Sequence, residues 1–364
     1  MAKARLITTL LAGGVLALGL GASQPAQSDT FNLKIASGHP PAAHYVVVFH
    51  KFFVPEVKKR VAERTKHTVN FTELYAGSAV KVTETLEGVQ NGIVDIGGMC
   101  YCFEASKMPL HGFQIWAPFG TNDPQLSLKI VREIYNETPA LTDPFEKKFN
   151  QKLLGLAAQD PYDLQTTFPI NKIEDIKGKK IGGAGANLPW VGLAGAIPVQ
   201  TTGAVVYTSL QNGVYDGTIA FVSFQLGLKL YEITKYYTKV GFGAMTWHGA
   251  QINLDTWNSL PPDVQDIIAE VGREFETETG KYVANYLVNG FEEMKAKGMT
   301  VNDLDPAVRL QWAELLKDWP QEKVNEAEKA GYPGAKVINT LLNTAEKYGY
   351  KWPVRYKVSK PVTN

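Results

Sequence analysis

Residues 85–96 read TLEGVQNGIVDI, and residues 208–217 read TSLQNGVYDG. In each copy a helical pattern stops at Gln-Asn-Gly, where the glycine can adopt a positive φ, and an apolar run then enters a strand through an aspartate. Two copies of this helix-glycine-strand unit predict two similar α/β lobes. The alternative is that the two copies match by chance, because helix-glycine-strand units are common in α/β proteins.

The residues after each copy lie at the carboxyl end of a predicted strand. They read GGMCYCF at residues 97–103 and TIAFVSF at residues 218–224. Open parallel sheets bind their ligands outside the carboxyl ends of the strands. The sequence therefore predicts a ligand cleft between the lobes, with these two segments in its walls.

The first 28 residues have the pattern of a secretory signal peptide. Lys3 and Arg5 precede an apolar run over residues 6–20, and Ala26-Gln27-Ser28 is typical of a cleavage site. The run is short for a membrane-spanning helix, and no cysteine follows it that would carry a lipid. We expect a chain that is exported to the periplasm and is not stably inserted in the membrane.

The charge of the remaining chain argues against polyanionic partners. Without residues 1–28 it keeps 35 basic and 36 acidic residues, because the full sequence has 37 basic residues and loses two. Nucleic-acid and anionic-membrane binding favour a strong basic excess. A length of roughly 336 residues suits two domains with a large core. We expect a monomer whose partner is a small solute.

A single long helix is predicted towards the end of the chain. Two prolines at positions 261 and 262 suit a helix start, and no other proline follows before Gly298. A helix over residues 263–297 would be about 50 Å long, which is more than one lobe needs, so we expect it to belong to both. Three glycines inside it are candidate bends or breaks: Gly272, Gly280 and Gly290.

Several motifs, taken in chain order, resemble one known family. They are Leu86-x-x-Val89-Gln90-x-Gly92-x-x-Asp95, Trp116-Ala117-Pro118-Phe119, IKGKKI at residues 176–181, VYTSLQNGVYDG at 206–217, LYEITKY at 230–236 and NLDTWNSLP at 253–261. Each motif is weak alone, and the order makes them specific. Over nearly its whole mature length the chain resembles the DctP family, the extracytoplasmic solute-binding proteins of tripartite ATP-independent periplasmic (TRAP) transporters.

The resemblance implies a fold and a function. The fold would be α/β, a two-lobed periplasmic-binding-protein architecture with a cleft between the lobes and a long helix spanning both. The first lobe would comprise residues 29–160 with 246–287, and the second residues 161–245 with 288–364. The lobes would close on a small solute, usually an organic acid, and deliver it to the membrane permease subunits. Neither catalysis nor a cofactor is expected.

One position departs from that family. The resemblance places an arginine that pairs with a ligand carboxylate where this chain has Gly182, and a second arginine near Leu164. No arginine occurs between Glu133 and Gly272. A guanidinium can hold a carboxylate through two parallel hydrogen bonds, and lysine does not reproduce that geometry. Either the solute therefore lacks a carboxylate at this position, or other groups hold it. The alternatives are Lys179, Lys180, a histidine, backbone amides or a bound cation.

Aromatic residues are frequent near the predicted strand ends. They are Tyr101, Phe103, Trp116, Phe119, Tyr162, Trp190, Phe221, Phe224 and Trp247. Small-molecule pockets are mostly apolar with a few placed polar groups, so this set suits an aromatic or otherwise apolar-bodied solute. Any one aromatic residue belongs to the core more often than to a ligand wall. Trp190 and Phe221 are favoured as contacts because they match ligand-binding regions of the family.

Cys100 and Cys102 are the only cysteines. On an extended strand they share a face, and a disulfide across one intervening residue would be strained, so we expect two buried thiols. The disulfide stays open as an alternative because an exported chain meets an oxidising compartment. A metal site is favoured less than either. By the resemblance, Cys100 occupies a ligand-facing position.

Three histidines could converge in the cleft. His39 and His44 flank the first predicted cleft loop, and His248 follows Trp247. The alternative is that they are solvent-exposed loop histidines. A less favoured alternative is that they hold a metal ion that bridges to the ligand. The candidate ligand contacts are therefore His39, His44, Cys100, Tyr101, Phe119, Tyr162, Gly182, Trp190, Phe221 and Trp247, with no catalytic residue and no metal ligand among them.

Enzyme motifs are missing from the sequence. It has no Gly-x-Ser-x-Gly, no His-Glu-x-x-His and no phosphate loop, and GGAG at residues 182–185 is a weak dinucleotide signal. The best interpretation is a solute-binding protein for an organic acid, with aromatic acids included. The alternatives are a binding protein for a neutral or metal-bridged ligand that feeds a sensor, and a periplasmic hydrolase.

Overall fold

The computed structural model of the chain describes residues 28–203 and 205–361. Of the predicted signal peptide, residues 1–27 lie outside the described residues. The described part folds into two β-sheets with helices packed against them. None of its helices combines the length and the apolar character that crossing a membrane requires.

The strands of the described chain are β1 (Thr30–Ser37), β2 (Thr68–Leu74), β3 (Ile96–Cys100), β4 (Gln151–Ala157), β5 (Tyr162–Thr166), β6 (Lys180–Gly183), β7 (Ile197–Gln200), β8 (Gly217–Phe221), β9 (Tyr236–Lys239), β10 (His248–Asn253) and β11 (Thr300–Asp303). The α-helices are α1 (His44–Val48), α2 (Val54–Arg64), α3 (Thr85–Gln90), α4 (Phe113–Trp116), α5 (Pro124–Glu137), α6 (Pro139–Phe149), α7 (Leu188–Gly192), α8 (Val206–Gln211), α9 (Val222–Gly227), α10 (Leu254–Ser259), α11 (Pro262–Ala296), α12 (Pro306–Leu315), α13 (Trp319–Lys329) and α14 (Gly334–Lys347). A π-helical turn, Phe49–Phe53, joins α1 to α2.

The two sheets have the orders β2-β1-β3-β10-β4 and β11-β9-β5-β8-β6-β7. The β1, β2 and β3 strands are parallel, whereas β10 runs antiparallel to both β3 and β4. In the second sheet β5 runs antiparallel to β8 and β9. Both sheets are therefore mixed, which corrects the open parallel sheet used as the basis of the prediction. The reason is that β5 and β10 are the strands by which the chain crosses between the sheets.

The two helix-glycine-strand units, residues 85–96 and 208–217, fold alike. One forms α3 and β3, the other forms α8 and β8, and the glycines between them have φ of +68° at Gly92 and +67° at Gly213. The aspartate of each copy accepts a hydrogen bond from a backbone N–H of the neighbouring parallel strand, at 2.7 Å for Asp95 and 2.9 Å for Asp216. The predicted pair of similar α/β units is confirmed.

The long helix α11 runs unbroken for 35 residues, so its predicted breaks are absent. It packs against β4 and α5 beside the first sheet and against α9 and β11 beside the second. A Cβ at Gly272 would lie 2.7 Å from the carbonyl oxygen of Leu154, and one at Gly155 would lie 2.4 Å from the carbonyl oxygen of Gly272. These glycines bring the backbone of the helix against the backbone of β4.

Replacing Gly272 with alanine is expected to destabilise the fold by about 1–3 kcal/mol, because the new methyl group meets backbone that has no room to move. In an open helix the same change would stabilise by up to about 1 kcal/mol. Gly280 is the matched control in the same helix, since its nearest neighbour is the flexible side chain of Gln125 at 3.3 Å. Urea unfolding of Gly272→Ala and Gly280→Ala measures the difference, and equal midpoints would contradict the close-packing account.

The C-terminal segment ties together elements from both halves of the chain. The α14 helix packs against α4 and α5. The indole N–H of Trp312 in α12 donates to the carbonyl oxygen of Trp190 at 2.8 Å, and the hydroxyl of Tyr356 donates to that of Pro118 at 2.7 Å. The protein is thus one two-lobed α/β molecule whose last helices cross over its middle.

Candidate functional site

The candidate site lies where strand ends of the two sheets meet. His248, which begins β10, is paired with Cys100 at the end of β3 and with Ala157 at the end of β4. In the second sheet Tyr162, which begins β5, is paired with Phe221 at the end of β8. The short crossover between β4 and β5 therefore brings these two sets of strand ends together.

A row of aromatic rings crosses this junction from the first sheet to the second, and we call it the aromatic row. In order its members are Phe103, His39, His248, Trp247, Tyr162, Phe221 and Phe224, with neighbouring ring centroids 5.4–6.4 Å apart. Its outer end is open, since Phe103 is 45% exposed, whereas Trp247 and Tyr162 in the middle are buried. Successive rings of the row meet tilted or edge to face, with interplanar angles of 48–81°.

The three histidines that were predicted to converge do lie together. The rings of His39 and His248 are 5.9 Å apart, and the charges of His39 and His44 both act on the pKa of His248. His44 begins α1 and packs on Tyr286 of α11, with ring centroids 4.8 Å apart. The cleft thus carries a cluster of imidazoles at its first-sheet side.

Burial keeps these imidazoles neutral. Loss of solvent lowers the pKa of His39 to about 4 and holds that of His248 well below its usual range. Burial also lowers the pKa of His44, and the carboxyl group of Asp160 offsets part of that effect. At neutral pH each ring can therefore donate one hydrogen bond and accept one.

Several buried polar atoms of the cleft have no hydrogen-bond partner among the described residues. They include Nδ1 of His44, Nδ1 of His248, the indole Nε1 of Trp247 and Oδ1 of Asn187. Buried polar groups are normally hydrogen-bonded, and a small ligand is one way to satisfy them. These atoms are therefore candidate polar contacts for a bound solute.

Asp160 lies in the crossover between β4 and β5 and is fully buried. Its carboxyl group accepts hydrogen bonds from the backbone N–H and the hydroxyl of Ser223, at 2.7 and 2.9 Å. Burial raises the pKa of Asp160, while His44 and Ser223 lower it. Asp160 therefore joins the crossover to the start of α9, beside the site.

No arginine is available to the cleft in the described chain, which contains six of them. Five of them form ion pairs with glutamates: Arg60 and Arg64 with Glu270, Arg132 and Arg273 with Glu276, and Arg355 with Glu346. The sixth, Arg309, donates hydrogen bonds to the carbonyl oxygens of Val240 and Gly241. Any negative charge on a ligand must therefore be held by other groups.

The model for bacterial extracellular solute-binding protein family 7, DctP, matches residues 48–326. This chain belongs to that family. Its members are bacterial extracellular solute-binding proteins.

Among curated relatives of this family 7 protein, the sialic acid-binding periplasmic protein SiaP of Vibrio cholerae is 30% identical over 176 residues, which are 45% of this chain and 52% of SiaP. The chain thus matches about half the length of the first of these relatives. A TRAP periplasmic solute-binding protein from Desulfovibrio salexigens has a TM-score of 0.77 at 23% identity, covering 87% of this chain and 96% of the other. A TRAP solute-binding protein from an unidentified marine microbe, described as specific for aromatic acid ligands and in complex with metahydroxyphenylacetate, has a TM-score of 0.75 at 20% identity, covering 88% and 100%. These structural likenesses concern the fold.

Lys179 and Lys180 do not replace the missing arginine of this family 7 protein. Lys180 is exposed and begins β6, at the end of that strand opposite the cleft. The ammonium group of Lys179 lies 4.9 Å from the ring centroid of Phe168. Among the residues with described positions, no group of three or more His, Cys, Asp or Glu side chains is placed to hold a metal ion. Of the sequence alternatives, the histidines are the basic groups that the described structure brings to the strand ends of the cleft.

Gly182 has a packing reason for lacking a side chain. A Cβ there would lie 3.0 Å from the ring of Tyr215 and 3.2 Å from the methyl group of Thr201. The hydroxyl of Tyr215 is also held, at 3.2 Å from the carbonyl oxygen of Val206. The direction in which a larger residue would point is therefore occupied, and Gly182 offers only its backbone.

Three other candidate contacts lie within the packed core. Nε1 of Trp190 donates to the carbonyl oxygen of Ile115 at 3.1 Å, and its ring stacks on Phe242. The hydroxyl of Tyr101 accepts a hydrogen bond from Gln251 at 2.6 Å. Phe119 is fully buried and also packs on the ring of Phe242. We therefore leave Trp190, Tyr101 and Phe119 out of the proposed site.

Cys100 and Cys102 form a disulfide, which corrects the expectation of two buried thiols. The strand β3 ends at Cys100, and the chain then enters a 3₁₀ turn over Tyr101–Glu104. The two Cα atoms are therefore 5.1 Å apart, closer than on an extended strand. The disulfide lies beside the site, because Cys100 is the sheet partner of His248.

Sequence reasoning missed two residues of the site. Tyr45 packs on the rings of both His39 and His248, and its only sequence signal was its place next to His44. Asn187 follows the glycine-rich run after β6, and its side chain reaches the carbonyl oxygen of Ile219 in β8 at 3.4 Å. This glycine-rich run ends a strand at the cleft, so the polar residue that follows it could have been predicted from the sequence as a site residue.

Proposed function

We propose that this protein binds a small organic acid with a flat aromatic body in the cleft, in the periplasm, and delivers it as a monomer to TRAP permease subunits. The observation that carries the proposal is the aromatic row, which continues without interruption from His39 to Phe221. A flat aromatic solute could stack on several of these rings, each pair contributing about 0.5–1.5 kcal/mol beyond the buried area.

The polar atoms of the cleft suit an acidic group at one end of such a solute. The imidazoles and the indole N–H of Trp247 lie on the first-sheet side, and Asn187 lies on the second. The marine protein described as specific for aromatic acid ligands has the same fold, which supports this ligand class. The proposed contacts are His39, His44, Tyr45, Phe103, Tyr162, Asn187, Phe221, Trp247 and His248.

Capture would proceed by closure of the two lobes. We place the first lobe at residues 29–160 with 246–287 and the second at residues 161–245 with 288–364, so the chain crosses between them near residues 158–161 and 240–247 and again within α11 at residues 287–288. Gly241 and Gly243 in the second crossover have φ of +71° and +113°. Saturating ligand should reduce the radius of gyration in solution X-ray scattering, and an unchanged radius would contradict the closure mechanism.

The function is tested by a binding screen with the mature protein. Thermal unfolding is followed with benzoate, phenylacetate, mandelate, succinate and benzyl alcohol, each with and without EDTA. A ligand at 100 times its Kd stabilises by about 2.7 kcal/mol. Aromatic acids should raise the midpoint in both conditions, whereas succinate and benzyl alcohol should leave it nearly unchanged. A response to succinate alone would reject the aromatic class.

Replacing Phe221 with alanine should weaken binding of an aromatic acid about tenfold or more, which corresponds to about 1.4 kcal/mol. The ring of Phe221 is half-buried and stands 5.4 Å from that of Tyr162 in the aromatic row. Phe31 is the matched control, because it is also half-buried but lies near the opposite end of β1, next to His67. Titration calorimetry on both variants gives the two affinities, and equal losses would remove Phe221 from the site.

A further inference from the structure

The cleft has to hold a negative charge without a permanent cation. All six arginines of the described chain are engaged elsewhere, and the two lysines nearest in sequence to Gly182 lie away from it. A buried carboxylate with no compensating partner costs several kcal/mol. The basic side chains that do line the cleft are imidazoles, and an imidazole becomes a cation by binding one proton.

We propose that His39 and His248 together hold the carboxylate of the ligand and that the protein takes up one proton when it binds a monocarboxylate. This inference rests on the proposed function, because it concerns the same cleft and the same class of solute. It names the group that recognises the acid and predicts that a proton enters the site with it.

The surroundings of His39 can accommodate an imidazolium. Nδ1 of His39 lies 2.8 Å from the hydroxyl oxygen of Tyr45. That hydroxyl can donate to the carbonyl oxygen of Gly98 at 3.2 Å, and its oxygen can then accept from a proton-bearing Nδ1 of His39 and from the hydroxyl of Ser37, 2.7 Å away. Nε2 of His39 has no hydrogen-bond partner within the described residues, so its N–H can donate to a ligand.

His248 completes the pair from the neighbouring strand. Its side chain is 95% buried, and its Nδ1 has no partner in the described part of the chain. The adjacent Trp247 holds a buried indole N–H that is likewise unpartnered. A carboxylate at the edges of the His39 and His248 rings could therefore accept hydrogen bonds from both imidazoles, with the indole as a further donor.

The charges around the pair favour one proton. Tyr45 and the two other histidines face His248, while Tyr45, Phe103 and His248 face His39. Asp160, Tyr282 and Tyr286 face His44 instead, and the charge of Asp160 acts on His44. Two imidazolium ions at this separation would repel each other, so a single carboxylate is expected to bring a single proton.

Proton uptake gives binding a definite pH dependence. The free imidazoles are neutral above about pH 4, the value to which burial lowers the pKa of His39, and a bound carboxylate raises the pKa of the pair. Affinity should therefore fall as pH rises, by up to about tenfold per pH unit between the free and bound pKa values. An aromatic carboxylate with a pKa of about 4 stays ionised between pH 6 and 8, so the ligand does not contribute to the slope measured there.

The test is titration calorimetry of the mature protein with the aromatic monocarboxylate that the screen selects, starting from benzoate. Titrations at pH 7 in phosphate and in Tris, which differ in ionisation enthalpy, give the number of protons taken up, and titrations from pH 6 to 8 give the slope. His39→Gln and His248→Gln keep a hydrogen-bond donor but cannot become cations. His50→Gln is the control, because His50 is exposed and pairs with Glu73 instead of with either cleft histidine.

We expect uptake close to one proton, a loss of affinity approaching 100-fold from pH 6 to 8, and a flat profile in either cleft variant, while His50→Gln keeps the wild-type slope. Binding without proton uptake and with a flat wild-type profile would overturn the proposal and leave the proposed function intact. Binding that EDTA abolishes would also overturn it, since a cation would then hold the carboxylate. If no acid binds at all, the proposed function itself fails. The proton uptake and the pH profile of the wild-type protein test the proposal even if a variant does not fold.

Discussion

Replacing Arg132 with alanine is expected to lower the free energy of unfolding by about 3–5 kcal/mol, because it leaves a buried carboxylate without its partner. Glu276 of α11 is 6% exposed, and its Oε2 accepts from Nε of Arg132 at 3.0 Å. Its Oε1 accepts from the backbone N–H of Leu156 in β4 at 2.9 Å. This pair therefore joins the long helix to α5 and to β4, an edge strand of the first sheet.

Urea unfolding of Arg132→Ala measures that loss. Arg64→Ala is the matched control, because Arg64 also pairs with a glutamate of α11 but is 48% exposed, and exposed pairs contribute about 0–1 kcal/mol. Arg132→Met combined with Glu276→Gln should recover much of the stability, since no uncompensated charge remains. A loss below about 1 kcal/mol for Arg132→Ala would show that Arg273, which is 3.4 Å from Glu276, compensates fully.

Replacing Trp190 with alanine is expected to cost about 3–5 kcal/mol of stability, as for other large buried aromatic residues. The ring is fully buried and stacks on Phe242 at 5.2 Å, while its backbone carbonyl accepts from Trp312. The residue therefore links the second sheet to the C-terminal helices. Trp257→Ala provides a control at a half-buried surface position, where the loss should be less than half as large.

Trp190→Phe separates packing from ligand contact. Phenylalanine keeps most of the stacking and leaves the carbonyl oxygen of Ile115 without its donor, so we expect a loss of about 1 kcal/mol. Binding of an aromatic acid should remain within about twofold of wild type. A drop of tenfold or more in a folded Trp190→Phe protein would return Trp190 to the ligand wall, as the sequence had suggested.

Much of the fold followed from local patterns. The matched glycines at positions 92 and 213 predicted two similar units because a positive φ and a strand-entering aspartate are local requirements. The long helix followed from its proline start and the absence of later prolines. The antiparallel direction of β10 did not follow from local patterns, because strand direction depends on which end of the sheet the returning chain reaches.

The candidate site was predictable only in part. Strand ends and loops pointed to Tyr162, Phe221, Trp247 and the histidines, because those positions follow from where elements stop. The sequence ranked Trp190 beside Phe221, and the structure buries Trp190 between Phe242 and Tyr162, whereas Phe221 ends a strand at the cleft. Which side of an element meets the cleft depends on contacts between residues far apart in the chain.

By itself, the sequence determined the α/β class, the repeated unit, the long helix and the family, since all of these rest on local spacing that packing does not change. It also established that no arginine stands at Gly182. Only the tertiary structure decided that Tyr215 fills the space beside Gly182 and that His39 and His248 meet 5.9 Å apart. These residues are separated by tens to hundreds of positions, and only sheet pairing and the burial of apolar surface bring them into contact.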